Sequence, residues 1–547
     1  VHHFRMALAS LEKISDHQAD IYKRKKEIEI GLADVLVLTG KYDQALSIYN
    51  RYCQNIDLLE CSEIQYKIGC IYHYTGEYNF AEKFFRDALK KIGMRIPHTL
   101  PLIIAGTFIE IIKLFFNEYF FSKIRYQNEN TRDILAAKIL NKYSQTLFLE
   151  GFLRAVFPHF KALNVLHKIK NTGVRIETSV LHGLITHLFQ FKKRSQKFIR
   201  KAEAECTGNG VVNCAYVKSI RGFVELLNTQ WQKSETSLLD CINNYKSLGD
   251  DNGQISCLNY IWKLQYLKGN FQRASSYLKL IIEMCNKNGQ NHYLRAALEA
   301  NTLVDSLMGV STENVTNSFL SSKNGQEHLT DIEVELYKIE RHLLYDEIES
   351  AWKSIIYVSK AIKMRQIDLL LFLRASSLKC ELLIMELNRI KSGEKPLIGL
   401  SEKIILTQIK NVLSGLYLRR NVSQLVTGYI NRISAWYFFA KSKKQKADSL
   451  FNAAIKNFHE LQMKYEEAKT IRDYGIFLEL NNLCGAAQDQ FNAAFTVLEK
   501  CGAKTASKRL ADKISHEFKE SRVEKETKSI IVAPENTNQI RFDTILQ

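Results

Sequence analysis

Large apolar and small residues recur along this chain at helical spacing, and one phrase repeats outright. Phe-Asn-Ala-Ala begins at Phe451 and again at Phe491, 40 residues later (491 − 451). A recurrence at about 20 to 50 residues is the trace of a repeat architecture. Around the first copy Ala447, Phe451 and Ala454 fall on one helix face, and Ala487, Phe491 and Ala494 do the same around the second. Tyr474-Gly475 and Leu478 supply the preceding helix of the later unit. Phe451 and Phe491 read as wedges between helices, with Ala454 and Ala494 as the flat places they lean on. Asn452 and Asn492 face solvent in this pattern. Ser442 and Asn482 occupy the turns, where glycine would cap most cheaply.

The same pattern is sharper near the N-terminus. "IQYKIGCIYHYTGEYNFAEKFFRDAL", Ile64 to Leu89, carries Ile68-Gly69, Tyr72, Gly76, Tyr78, Ala81, Phe85 and Ala88. Small residues at Gly69 and Ala81 let two helices approach, Tyr72 and Phe85 fill the space between pairs, and Gly76 ends the first helix in the left-handed conformation. One unit upstream stand Leu32-Ala33, Leu36, Gly40, Tyr42, Ala45 and Tyr49, so Gly40 to Gly76 and Ala45 to Ala81 both span 36 residues (76 − 40, 81 − 45). Gly269, Phe271 and Ala274 mark a further unit, and Trp231 and Ser234 a degraded copy 40 residues before it (271 − 231).

This spacing resembles the tetratricopeptide repeat. The resemblance implies an all-α fold, an α-solenoid winding as a right-handed superhelix of helix-turn-helix units. The order of features is similar to the tetratricopeptide regions of large multidomain bacterial signalling proteins. "ALKKIGMRIPHTLP" (Ala88 to Pro101) and "FTVLEKCGAKTASKRL" (Phe495 to Leu510) carry that likeness. In such proteins a Ser/Thr-kinase-like domain and an AAA or STAND ATPase precede the repeats, and a GAF domain with a histidine kinase, or another output module, follows. The resemblance therefore implies a sensor or linker region that joins a kinase or ATPase module to an output module. The chain opens at Val1 and closes with a short linker at Pro534, after which Phe542, Ile545 and Leu546 begin a new amphipathic pattern, so a fragment of something longer is expected.

The predicted organisation is tetratricopeptide-like repeats over 1–95, an atypical hydrophobic helical segment over 96–160, and degenerate repeats over 161–310. Helical repeats without a clear turn signature follow over 311–400, then tetratricopeptide-like repeats over 401–510 and a charged helix and linker over 511–547. Proline agrees with this: there are 5, with none between Pro158 and Pro396, and each would cost roughly 3 kcal/mol inside a helix. "LIIAGTFIEIIKLFFNEYFF", Leu102 to Phe121, is long enough to cross a bilayer. Because Glu110, Lys113 and Glu118 interrupt it, and Glu110 can pair with Lys113, a buried amphipathic helix is predicted and no membrane span.

Net charge is +18, from 76 Lys and Arg against 58 Asp and Glu. It reads as lysine on solvated helix faces, with nucleic acid or another anionic polymer along one groove as the alternative. Eleven cysteines show no CxxC, and reduced thiols in a cytoplasmic protein are expected. His182 and His187 are five residues apart and off a common face, so no metal site is predicted. "TGNGVVN" (Thr207 to Asn213) lacks the lysine of a phosphate loop, and no hydrolase, kinase or dinucleotide motif occurs. No catalytic residue, cofactor or metal is predicted. What remains is a concave face lined by first-helix side chains, suited to a protein or peptide partner or to flanking domains of the same polypeptide. In the tetratricopeptide register Tyr66, His73, Asn259, Lys263, Tyr266, Arg432 and Trp436 face it.

Overall fold

The structure, a computed structural model, describes residues 1–11, 18–53, 57–120, 130–150, 152–206, 211–288, 291–310, 329–364 and 369–515. The linker expected near Pro534 and the amphipathic pattern after it lie outside them, as does "TGNG" of the Gly-containing turn. Among the described residues every regular element is an α-helix. The first are α1 (His2–Leu11), α2 (Gln18–Leu38), α3 (Tyr42–Tyr52), α4 (Leu58–Thr75), α5 (Tyr78–Lys91) and α6 (Leu100–Phe120). Next come α7 (Thr131–Glu150), α8 (Phe152–Leu166), α9 (Thr172–Leu188), α10 (Lys192–Cys206), α11 (Val211–Leu227) and α12 (Trp231–Leu248). Then follow α13 (Asp251–Leu267), α14 (Phe271–Asn288), α15 (Asn291–Leu307), α16 (Leu329–Leu344), α17 (Ile348–Met364) and α18 (Leu369–Lys391). The series ends with α19 (Glu402–Arg419), α20 (Leu425–Ala440), α21 (Lys444–Glu460), α22 (Lys464–Glu479), α23 (Cys484–Cys501) and a further helix over 504–515. Consecutive helices pack on each other along the chain, which makes the molecule an all-α helical repeat solenoid. The exception is α6, which packs on α8 while α5 reaches past it to α7.

One geometry joins the two helices of most units. A residue with positive φ follows the first helix: Gly40 (+73°), Gly76 (+84°) and Gly269 (+75°), but also Gln190 (+69°), Thr229 (+59°), Asp346 (+59°), Ser442 (+61°) and Asn482 (+62°). The stretch without an evident turn signature therefore turns in the same way, at Asp346. A side chain held left-handed costs about 1 kcal/mol or more, so packing elsewhere in the unit must supply what glycine would have given.

That packing follows a fixed interval. Gly69 meets Phe85, Gly183 meets Ile199, Gly222 meets Leu238 and Gly475 meets Phe491, each pair 16 residues apart (85 − 69, 199 − 183, 238 − 222, 491 − 475). A Cβ on Gly69 or Gly475 would lie 2.6 Å from a carbon of the facing phenyl ring. Phe85, Phe451 and Phe491 are all buried. Gly475→Val is therefore expected to lower stability by about 1–3 kcal/mol through overpacking, read as a fall in the urea midpoint. Phe491→Leu in the same chain should recover part of it, and equal midpoints for Gly475→Val and the parent would refute the contact.

Successive turns of the superhelix touch. The Tyr42 hydroxyl donates to Asn252 Oδ1 at 2.5 Å, and Asn252 Nδ2 donates to the Val37 carbonyl at 3.2 Å. Trp231 Nε1 donates to the Leu461 carbonyl at 2.7 Å, and Thr505 Oγ1 to that of Ser306 at 2.6 Å. Gly40 is held here twice over, by its φ and by Asn288, whose Cβ lies 2.4 Å from where a Gly40 Cβ would stand. Contacts between residues about two hundred positions apart close the coil around an internal lumen.

The hydrophobic helix α6 differs from expectation. Its Glu110–Lys113 pair forms, with Nζ 3.0 Å from Oε1, but the helix is not buried. Only 17% of the stretch Leu100–Asn117 lies inside the molecule. Ile103, Glu110 and Leu114 turn inward onto α8, and Leu102, Ile104, Phe108, Ile109 and Ile112 are exposed. Apolar composition forecasts burial, but among the described helices α6 packs closely on α8 alone.

Candidate binding lumen

The lumen is walled by the first helices of successive units and widens into two cavities joined by a constriction. The upper cavity, about 370 Å³, receives His73 from α4, Lys142 from α7, Tyr216 from α11, Asn259 and Lys263 from α13, Tyr293 from α15 and Glu333 from α16. The constriction, about 70 Å³, lies among Trp262, Lys263, Tyr266, Tyr337, Arg374 and Tyr429. The lower cavity, about 610 Å³, is lined by Glu381 of α18, Arg432 and Trp436 of α20, Lys469, Arg472 and Asp473 of α22, and Arg509 of the final helix.

Six of the seven residues placed on the concave face by register line this lumen. His73 Nδ1 lies 2.8 Å from Thr146 Oγ1. Asn259 Oδ1 accepts from Trp262 Nε1 at 2.9 Å, and Lys263 Nζ lies 2.7 Å from Glu333. The Tyr266 hydroxyl donates to Glu340 at 2.5 Å. Trp436 is buried edge-on against Phe451, centroids 5.5 Å apart, so only part of it is offered to the lumen. The seventh, Tyr66, packs against Phe85 with centroids 6.1 Å apart.

Register alone missed the partners of these residues. Arg374 pairs with Glu340 and stacks over Tyr266 and Tyr337, 4.9 and 4.5 Å from the ring centroids. Arg432 reaches Glu466 at 2.8 Å and Asp473 at 3.1 Å. Glu381 accepts from Arg472 at 3.1 Å and lies 3.3 Å from Lys469. Burial alone would raise the Glu381 carboxyl, but Lys469, Arg472 and Arg432 outweigh it and hold the group below the usual carboxylate range. Glu340 is lowered in the same way, with Arg374 and Lys469 overcoming burial. These groups stay ionised at neutral pH. The five cations Lys263, Arg374, Arg432, Lys469 and Arg472 are matched by the five carboxylates Glu333, Glu340, Glu381, Glu466 and Asp473.

Lys142 is different. Its Nζ sits 4.7 Å from the centre of the Tyr74 ring and donates to Gln145 Oε1 at 3.4 Å. Among the described residues it makes no direct ion pair, and its charge acts from farther off on Glu177 and Asp250. The arrangement can take up an aromatic or apolar group beside Tyr74, Tyr216 and Tyr293, with Lys142 as an anchor for a carboxylate.

His182 and His187 are both buried, and His159 Nε2 lies 3.0 Å from His182 Nδ1. Among the described residues no group of three or more His, Cys, Asp or Glu stands close enough to hold a metal ion. All eleven cysteines are free thiols.

Fold and lumen together define the molecule as a helical repeat solenoid with an internal, charge-balanced cavity system. No protein-family model matches this chain, and no curated protein matches it.

Proposed function

We propose that the chain is a non-catalytic protein–protein interaction and regulatory scaffold whose lumen receives a peptide segment. One observation carries this: first helices of at least six units send aromatic, amide and charged side chains into adjoining cavities that share lining residues. Such a surface grips a chain along its length rather than transforming a small substrate. Lys142, beside Tyr74, favours a peptide with an acidic residue next to an apolar one. A groove for nucleic acid or another polyanion would need rows of cations free to meet phosphate. The pairing of Lys263, Arg374, Arg432, Lys469 and Arg472 with carboxylates favours the peptide instead.

The likeness to tetratricopeptide regions of multidomain signalling proteins supports a cytoplasmic sensor or linker role between a kinase or ATPase module and an output module. Repacking between units on peptide entry would change how the two ends are presented. Selection from a displayed peptide library on the purified chain tests the lumen. Enriched peptides should carry an acidic residue, and Lys142→Glu should weaken them at least tenfold while Lys456→Glu on the outside of α21 leaves them unchanged. No enriched peptide, or peptides indifferent to Lys142→Glu, would remove the reading. Extending the reading frame tests the setting: a nucleotide-binding domain upstream or a GAF, kinase, cyclase or DNA-binding domain downstream is expected. Finding neither would withdraw the signalling role and leave the peptide selection to decide the scaffold role.

A further inference from the structure

Among the described residues, the outward side of α6 from Leu102 to Ile112 is apolar and exposed. Leu102, Ile104, Phe108, Ile109, Ile111 and Ile112 are all exposed, Phe108 by 63% and Leu102 by 60%. At 100° per residue they cover about 180° of the helix circumference. No carboxylate interrupts that arc. Between Leu100 and Leu114 the charged residues are Glu110, which is buried, and Lys113, at the arc's border. The opposite side is fastened to the solenoid: Asn164 Nδ2 of α8 donates to Glu110 Oε2 at 2.8 Å, and Asn117 Nδ2 donates to Asn164 Oδ1 at 3.0 Å. Gly106 lies so close to Phe157 that a Cβ there would come within 2.7 Å of the ring.

From this geometry we infer that α6 is a membrane-docking helix, which lies in the interfacial layer of an anionic bilayer while the rest of the solenoid stays in water. Shape selects lipid over protein. A single partner helix covers a stripe of about 100° on a helix, and much of this arc would stay wet. A fluid apolar phase wets the whole of it. Charge selects anionic lipid. The chain carries +18, exposed Arg95 precedes the helix, and Lys113 and Lys161 border it, with Lys161 Nζ 5.5 Å from the Phe157 ring centre. Basic residues beside an interfacial apolar face add attraction to acidic headgroups. The bonds to Asn164 select lying over crossing. A spanning α6 would have to leave α8 and expose Glu110 to hydrocarbon, a cost of a few kcal/mol.

Vesicle flotation of the purified chain tests this, with phosphatidylcholine alone and with phosphatidylcholine and phosphatidylserine at about seven to three. The chain should float with the acidic vesicles and much less with the neutral ones. Phe108→Gln with Ile112→Gln should cut partitioning at least tenfold at unchanged circular dichroism, while Ile356→Gln, at an exposed site on α17, leaves it unchanged. Phe108→Trp should add a fluorescence component quenched by brominated lipid. Failure to float at any composition would overturn the inference. So would a dimer in solution that the double variant dissociates without any vesicle binding, since a second copy would then cover the face.

Discussion

Arg432→Met is expected to lower stability by about 3–5 kcal/mol, the range for removing one partner of a buried ion pair. Arg432 is 4% exposed and serves two close carboxylates, Glu466 at 2.8 Å and Asp473 at 3.1 Å, with Glu381 at 3.7 Å. With Lys469 and Arg472 it balances these three acids, three charges against three. Methionine matches much of the arginine's volume, so the packing of α20 against α18 and α22 is largely kept. What changes is the charge: three carboxylates then face two cations, and the excess acid can reach water only through the lower cavity. Arg432→Lys keeps the charge but loses the planar fork that spans Glu466 and Asp473, and it should fall between. Adding Glu466→Gln to Arg432→Met restores balance and should recover a substantial part of the loss, because groups in one network are not additive. Urea unfolding followed by the fluorescence of the four tryptophans, of which Trp436 is one helical turn away, gives the readout. A loss below about 1 kcal/mol for Arg432→Met would mean that the cluster is solvated from the lumen and worth no more than a surface pair.

Register explains which lumen residues could be read in the sequence. Asn259, Arg432 and Arg472 each stand ten residues before a left-handed turn residue, at Gly269, Ser442 and Asn482 (269 − 259, 442 − 432, 482 − 472), and Tyr66, which has the same place before Gly76, packs on Phe85 instead of lining the lumen. Lys263, Glu340 and Trp436 each stand six before (269 − 263, 346 − 340, 442 − 436). Arg472 was therefore as legible as Arg432 once Asn482 was taken as a turn. Glu340 was not, because Asp346 carries no glycine signal and its left-handed backbone shows only in three dimensions. Lys142 and Arg374 obey no such rule: α7 ends without a positive-φ residue among the described positions, and α18 runs to 23 residues, longer than the repeat's helix. The failure at α6 is of another kind. Periodicity gave its apolar arc and the Glu110–Lys113 pair correctly, but no pattern within one helix tells whether another element covers it.

Stability should also fall as the medium is acidified from about pH 6.5 to 5, and the cause is local. His182 and His187 are buried on α9, and burial, reinforced by Arg194 for the first and Lys192 for the second, pushes them down to about 3 and about 4. His159 on α8 is likewise lowered by burial and by His182. The hydrogen bonds fix the neutral form. Arg194 Nε donates to His182 Nε2 at 3.3 Å, so His182 carries its proton on Nδ1 and donates it to His159 Nε2 at 3.0 Å. A proton added at Nε2 would destroy that acceptor and face the Arg194 cation. In the unfolded chain the same rings titrate near 6.5. Above that pH both states are neutral and the contribution is complete. Below it the unfolded chain takes up protons that the fold refuses, and stability drops by about 1.4 kcal/mol per pH unit for each ring. At pH 5 His182 and His187 together account for about 4 kcal/mol, and His159 adds to it. Glu177 and Asp250, raised by burial, oppose this trend, because each takes up its proton in the fold above its ordinary range. The lowered Glu333, Glu340 and Glu381 lose their contribution only below the ordinary carboxylate range. Urea midpoints at pH 7.5, 6.5 and 5.0 should be level between the first two and fall at the third. His182→Asn keeps a neutral polar group between Arg194 and His159 and should flatten the slope by about one proton. A midpoint unchanged between pH 6.5 and 5.0 would show that these imidazoles reach water and are not held neutral by the fold.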